Sequence, residues 1–275
     1  MGSTAADRPA HAPGLSMTRR TPGPALRPYV TSLCAYREHY DRPVIRTEVA
    51  LPGAVLILAF GAPMEVGGTR LTSFTGGLGD RYTVTRMSAP TEGVEVLLTP
   101  FGARRLFGVP MNELANLVAP VDDLLPGWGS VAVARLGELT SWQDRLTAAE
   151  SLLAARILPA PPPDPRVVWA WDRLVESSGS VSVAWLAGSL GWSHRHLVSR
   201  FHDHVGLTPK ASARVIRFDR AMSLLRSGAD LADVATACGF YDQPHMNREF
   251  RAMAGTTPGQ IRPRPQAVHG ADSDS

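Results

Sequence analysis

The feature that most constrains the fold is a repeat in the last third of the 275-residue chain. Val183–Pro209 resembles Leu231–Pro258, first at an offset of 48 residues and then at an offset of 49. The change of one residue falls between a glycine and the segment after it, where a turn can absorb it. A duplicated pattern of this length indicates one supersecondary unit used twice.

Each repeated unit has the pattern of a helix-turn-helix. The first helix ends at a glycine, because a tight turn needs a positive φ angle. The second helix opens at a side chain that can cap its N-terminus, and it buries two apolar residues four positions apart. In the two units these residues are Gly191 and Gly239, Ser193 and Asp242, Leu197 with Phe201, and Met246 with Phe250.

The outward face of each second helix is predicted to enter a DNA major groove, which is about 12 Å wide. Arginine can pair with guanine, and glutamine or asparagine with adenine, whereas residues near the helix ends can hold phosphates. A long helix, 210–226, would fix the spacing of the two units. The predicted contacts are His194, Arg195, Val198, Ser199 and His202 in the first unit, and Gln243, His245, Asn247, Arg248 and Arg251 in the second.

From Val183 to Arg262 the chain resembles the DNA-binding region of the AraC/XylS family of transcription regulators. The resemblance is carried by Leu186-Ala187, Gly191–Ser193, Leu197, Arg200-Phe201, Gly206–Pro209, Arg217-Phe218, Ala221, Leu224-Leu225, Ala235–Phe240, Asp242-Gln243, Arg248–Phe250 and Gly255–Pro258. Ser212, Met246 and Ile261 depart from the usual residues, and Pro244 lies in the first turn of the second unit's second helix, where proline is tolerated. These changes affect packing more than the DNA-facing side. The resemblance implies double-stranded DNA as partner, RNA polymerase as a second partner if the protein is an activator, and a variable N-terminal domain, often cupin-like.

The predicted fold class is α+β, with a small N-terminal antiparallel β-barrel plus helices and a C-terminal all-α domain. Short strand-like runs broken by glycine and proline fill residues 29–99. Five prolines in residues 159–165 mark a semi-rigid linker. The predicted divisions are a disordered leader (1–24), an effector-sensing or dimerisation domain (25–158), the linker (159–165), the DNA-binding domain (166–262) and a disordered tail (263–275).

Helical spacing appears after Pro100, over 101–107, 111–118 and 141–157. The last segment carries one apolar face, formed by Trp142, Leu146, Ala149, Leu153 and Ile157. That face either packs on the barrel or forms a homodimer seam, and the sequence leaves both interpretations open.

The family resemblance also implies that the N-terminal domain senses a small-molecule effector or mediates dimerisation, and a sensing domain would hold the effector in a pocket of the barrel. Its candidate residues are Tyr36, Glu38, Glu48, Phe60 and Tyr82. Alternation along a strand does not say which face is inside, and the simpler interpretation is that most of these residues lie on the surface. The alternative hypothesis is a regulator without an effector, whose N-terminal domain only dimerises.

Composition limits the remaining classes. Residues 166–262 hold 12 basic and 8 acidic residues, as a DNA-binding module would. Only Cys34 and Cys238 are present, with no secretory leader or apolar run long enough for a membrane span, so we expect a cytoplasmic protein without membrane contacts. The histidines at 194, 196, 202 and 204 do not converge as metal ligands, and no catalytic or cofactor motif occurs. We therefore expect no metal, no cofactor and no enzymatic activity.

Overall fold

The computed structural model describes residues 14–261, with an N-terminal domain (residues 14–158) and a C-terminal domain (residues 165–261). Antiparallel sheets and helices form the first domain and helices form the second, which confirms the predicted α+β class. The N-terminal strands are β1 (Leu15–Arg20), β2 (Val30–Glu38), β3 (Val44–Glu48), β4 (Ala54–Ala59), β5 (Met64–Val66), β6 (Thr69–Leu71), β7 (Phe74–Gly76), β8 (Thr83–Met87), β9 (Thr91–Leu98) and β10 (Val118–Pro120).

Two sheets divide these strands. The larger sheet has the order β1-β2-β9-β4-β7-β10, and the smaller has the order β3-β8-β5-β6. Every strand pair is antiparallel. In β9, Val94 and Val96 point to one face of the larger sheet and Glu95 and Leu97 to the other, as the two-residue period requires.

The two faces of the larger sheet have different partners. One face packs against four helices, α1 (Pro100–Phe107), α2 (Val121–Leu124), α3 (Trp128–Gly137) and α4 (Trp142–Ile157). The other face turns towards the smaller sheet. Between the two sheets lie a small apolar cluster and a cavity.

Helix α4 resolves the two interpretations of its apolar face. Leu146, Ala149, Leu153 and Ile157 are all fully buried within the chain, against the larger sheet and the neighbouring helices. Ser141 caps the helix by accepting a hydrogen bond from the Asp144 amide. The face therefore packs on the β-structure and is not exposed as a homodimer seam.

Two local predictions were wrong. Residues 1–24 were expected to be disordered, but Leu15–Arg20 pairs along its whole length with β2 and forms an edge strand. Alternation in this segment is weak, because only Leu15 is buried. Residues 111–118 were expected to be helical, but they form one 3₁₀ turn (Met111–Glu113) and enter β10, because β7 offers its edge to Val118. The predicted tail, 263–275, and residues 1–13 of the leader lie outside the described residues.

The C-terminal domain contains α5 (Pro165–Glu176), α6 (Val183–Ser189), α7 (His194–Val205), α8 (Pro209–Arg226), α9 (Leu231–Ala237), α10 (Gln243–Ala254) and a 3₁₀ turn (Pro258–Gln260). Helix α5 begins at the last proline of the proline-rich segment, where the missing N–H costs nothing. Helix α8 runs through the domain and contacts α5, α7, α9 and α10.

The two domains share a hydrophobic core. Ala50, Leu78 and Phe101 of the N-terminal domain belong to the same cluster as the buried residues of the C-terminal helices. The Phe101 ring lies edge-on to Trp171, with centroids 6.3 Å apart. Arg104 of α1 donates to the Asp203 carbonyl at 2.7 Å and pairs with its carboxylate at 3.1 Å. No helix among the described residues has the length and apolar character needed to cross a membrane.

Candidate nucleic-acid interface

The first repeated unit consists of α6, a turn and α7. Gly191 in the turn has a φ of 65°, so the turn takes the left-handed conformation that glycine tolerates. Ser193 Oγ then accepts from the His196 amide at 3.2 Å and caps α7. Leu197 and Phe201 are fully buried. The inner side of α7 is thereby fixed against the domain core.

The second unit, α9, a turn and α10, repeats this construction. Gly239 has the same φ of 65°, and Asp242 Oδ1 accepts from the His245 amide at 2.6 Å. Met246 and Phe250 are buried, and the Phe250 ring packs on Phe218 of α8 with centroids 4.9 Å apart. We call α7 and α10 the reading helices.

The outer faces of the reading helices carry the predicted DNA contacts. The residues that the structure leaves exposed are His194, Arg195 and Ser199 on α7, and Gln243, Arg248 and Arg251 on α10. Val198, His202, His245 and Asn247 are half-buried. None of the ten lies in the core, so both faces are available to a partner.

Charge pairing separates the arginines of this domain into two groups. Arg200 pairs with Asp164, and Arg214 pairs with both Glu249 and Asp80. Within residues 14–261, no ion pair involves Arg195, Arg248 or Arg251. Arg217 and Arg220 of α8 also have no ion pair within this range, but they hydrogen-bond to the Gly179 carbonyl and the Ser178 hydroxyl. Arg195, Arg248 and Arg251 lie on the outer faces of the reading helices, where a polyanion would supply the missing charge.

His245 is the predicted contact that is most engaged inside the protein. Its Nε2 lies 3.7 Å from Glu249, and its ring lies edge-on to Phe240. Its Nδ1 accepts from the Tyr241 amide at 3.4 Å. These contacts hold the turn before α10, so His245 organises the reading helix from within.

One residue on this surface escaped the sequence prediction. Tyr241 lies between Phe240 and the capping Asp242 and is 92% exposed, more than any other large apolar or aromatic residue in the described chain. It is the additional residue that changes the repeat offset from 48 to 49. The offset was the available signal, although a one-residue insertion in a turn does not by itself indicate a contact.

The potential metal-ligating side chains of the described residues are dispersed, and both thiols are buried. No group of three histidine, cysteine or acidic side chains is placed to hold a metal ion within residues 14–261. His204 is buried, and burial together with Arg104 and Arg200 lowers its pKa. Cys34 and Cys238 are also buried, and burial raises the pKa of Cys238, which opposes formation of a reactive thiolate.

The cavity between the two sheets includes four of the five predicted pocket residues. Tyr36, Glu38, Glu48 and Tyr82 line a space of about 240 Å³, together with apolar side chains from both sheets. Phe60 does not line it. The Phe60 ring lies on the helical side of the larger sheet, under Arg145 at 4.7 Å, because it follows the end of β4 at a position that faces the helices.

Comparison with known proteins agrees with this geometry. A helix-turn-helix domain model matches residues 186–264, so the fold and the site define a helix-turn-helix protein. Relatives include the transcriptional activator RhaS of Escherichia fergusonii, 32% identical over 35% of this chain and 34% of that protein. The regulator MtrA of Neisseria gonorrhoeae is 27% identical over 46% of this chain and 36% of that protein. The helix-turn-helix match over residues 186–264 and these relatives among transcription regulators confirm the resemblance to the AraC/XylS family seen in the sequence.

The similarity to these relatives spans only about a third of their length. Among solved structures, ToxT from Vibrio cholerae is similar with a TM-score of 0.49 and 12% identity over 89% of this chain and 96% of that one. The C-terminal domain of AraT from Geobacillus stearothermophilus has a TM-score of 0.35 and 21% identity, and covers 41% of this chain and 95% of that one.

Proposed function

We propose that this chain is a sequence-specific DNA-binding transcription regulator of the AraC type, and not an enzyme. The observation that carries the proposal is the placement of Arg195, Arg248 and Arg251. They lie on the outer faces of two capped, duplicated helices and have no acidic partner among the described residues. Each reading helix would enter the major groove at one half of an operator.

Within each half-site the side chains have different tasks. Arg195 and Arg248 would read guanine through two hydrogen bonds, while Gln243 and Asn247 would read adenine. His194 and Arg251 lie nearer the helix ends and would contact phosphates. Helix α8 connects the two units and would keep the two half-sites at one spacing.

The test is operator selection from random duplexes, followed by binding assays on the selected sequence. Arg195→Ala and Arg248→Ala should each weaken binding by roughly 1–3 kcal/mol and relax the preference at one position, in different halves of the operator. Arg173→Ala is the matched control, because Arg173 is an arginine of the same domain that pairs with Glu176 on α5. Unchanged binding by both reading-helix variants would contradict the assignment.

We further propose that the cavity in the N-terminal domain binds a small-molecule effector. Its walls combine apolar side chains with a few polar groups, as ligand sites do. Two of its lining residues also contact the end of the second reading helix. The Ala50 amide donates to the Met253 carbonyl at 2.9 Å, and the Tyr82 amide donates to the Ala252 carbonyl at 3.2 Å.

These contacts offer a physical route from the cavity to DNA. A ligand that moves the strand ends bearing Ala50 and Tyr82 would change how α10 is held, and it would shift the equilibrium between two presentations of the reading helices. The ion pairs of Arg214 with Asp80 and Glu249 lie on the same route. Homodimerisation and a contact with RNA polymerase stay predictions.

A thermal-shift screen of the full chain separates this proposal from a regulator without an effector. A compound that binds the folded state raises the melting temperature by mass action. We expect such a compound also to change the operator Kd. If no compound did both, the alternative, in which the N-terminal domain only dimerises, would be favoured.

A further inference from the structure

The ring of Tyr241 lies on the DNA-facing side and is too exposed to contribute to the packing of the fold. The side chain is 92% exposed, whereas its neighbour Phe240 is 8% exposed and packs near Phe250 and His245. A single exposed aromatic residue is common on protein surfaces. This one, however, sits directly before the cap of a reading helix, at the end that approaches the base edges.

The first unit has no equivalent residue. There Trp192 is followed at once by the capping Ser193, whose φ and ψ are −67° and 152°. In the second unit Tyr241 is inserted before Asp242, and the cap takes a more extended backbone, with φ −155° and ψ 170°. Trp192 is half-buried, so the insertion adds an almost fully exposed aromatic side chain directly before the cap of only one reading helix.

The turn is held firmly enough to position this side chain. The Tyr241 amide donates to His245 Nδ1, Asp242 caps the helix, and the Phe240 ring anchors the turn beneath Arg217, whose guanidinium lies 5.9 Å from the ring centroid. A tyrosine in such a place offers one hydrogen-bond donor on a rigid ring that loses little conformational entropy on binding. Tyrosine hydroxyls are among the groups that donate to DNA phosphates.

We infer that Tyr241 is a DNA-backbone contact whose hydroxyl donates to a phosphate beside the second half-site. The inference rests on the proposed DNA-binding function. A neutral donor strengthens binding without adding a cationic contact, so it has a distinct signature. Its removal should weaken binding to all sequences equally and leave the salt dependence unchanged, because no counterion is displaced by a phenol.

The experiment measures the operator Kd of the full chain at several salt concentrations. Tyr241→Phe removes only the hydroxyl and should weaken binding about tenfold, the effect of one hydrogen bond to a charged group. The slope of log K against log salt should match that of the wild type. Arg251→Ala is the contrasting variant, and its slope should become shallower by about 0.9. Both tyrosine variants, Tyr241→Phe and Tyr241→Ala, should melt at the wild-type temperature.

A second experiment uses duplexes in which one phosphate is replaced by a neutral methylphosphonate, and it identifies the phosphate that the Tyr241 hydroxyl contacts. Neutralising one phosphate beside the second half-site should weaken the wild type, but not Tyr241→Phe. Wild-type affinity of Tyr241→Phe would overturn the inference, and so would a loss confined to certain base sequences or a fall in melting temperature of several degrees. If the wild type selected no operator at all, the proposed function itself would fail, which is a different result.

Discussion

Replacing Arg145 by methionine should destabilise the chain strongly, because this arginine is a buried cation with several partners. Its side chain is only 5% exposed. Its Nε donates to the Leu139 carbonyl at 2.6 Å, its Nη2 donates to Glu92 at 2.9 Å, and its guanidinium lies 4.7 Å from the Phe60 ring centroid. Methionine keeps much of the apolar stem and removes the charge.

The loss of stability expected for Arg145→Met depends on the burial of its ion pair with Glu92 more than on the distance between the charged atoms. Breaking one side of a buried ion pair costs about 3–5 kcal/mol, and we expect the low end, about 3 kcal/mol, because Glu92 keeps a second partner. That partner, Arg37, lies closer to Glu92, at 2.5 Å, but its side chain is 58% exposed. An exposed pair contributes less than about 1 kcal/mol, so Arg37→Met should have little effect.

Thermal and denaturant unfolding of the two variants provide the assay. The loss for Arg145→Met corresponds to a fall in Tm of roughly 6–12 °C, and the fall for Arg37→Met should be roughly 3 °C at most. Equal effects of the two substitutions, or a fall below about 2 °C for Arg145→Met, would refute the reasoning that burial decides the strength of these pairs.

The Glu92 carboxylate also makes the stability of the fold depend on pH. Burial raises the pKa of Glu92, but the hydrogen bonds and charges of Arg37 and Arg145 outweigh burial and hold it below its ordinary value of 4.5. The stability that this group contributes is therefore complete above pH 4.5 and is lost as the pH falls through the lowered pKa. In Arg145→Met this part of the acid dependence should become weaker.

Three further predictions test other parts of the structure. Because burial, Arg104 and Arg200 lower the pKa of His204, stability should be complete above its ordinary pKa of 6.5 and fall as the pH drops below it, and His204→Gln should flatten the unfolding free energy over that range. Leu153→Ala should cost about 2–5 kcal/mol in denaturant unfolding and leave the elution volume of the wild type unchanged, since the residue is buried within one chain. A double-mutant cycle of Asp80→Asn and Arg214→Gln should give a coupling of about 0.5 kcal/mol in unfolding experiments, and zero coupling would contradict the ion pair between the domains.

The C-terminal domain was largely predictable because its signals are local. Glycine turns, caps and apolar pairs act within a few residues, and the duplication shows them twice. The charge pairing that leaves Arg248 without a partner, while Arg214 has two, depends on residues 35 and 134 positions apart. Only the folded chain brings such groups together.

The N-terminal domain was less predictable because each strand pairs with the edge of another strand that lies elsewhere in the sequence. Strand β1 forms because β2 offers an unpaired edge, which weak alternation near residue 15 does not indicate. The lining of the pocket depends on which face of each strand turns inward. A shift of one position along a strand moves a side chain to the other face, and Phe60 lies on the face away from the pocket. Four candidate residues fell on the inner side and the fifth on the helical side.

The core that Ala50, Leu78 and Phe101 share with the C-terminal helices has a consequence for how the chain comes apart. Segments that bury one common core lose their packing together, so heating should produce a single cooperative transition. A protease cut in the proline-rich segment should therefore leave two fragments that stay bound to each other until the whole molecule denatures.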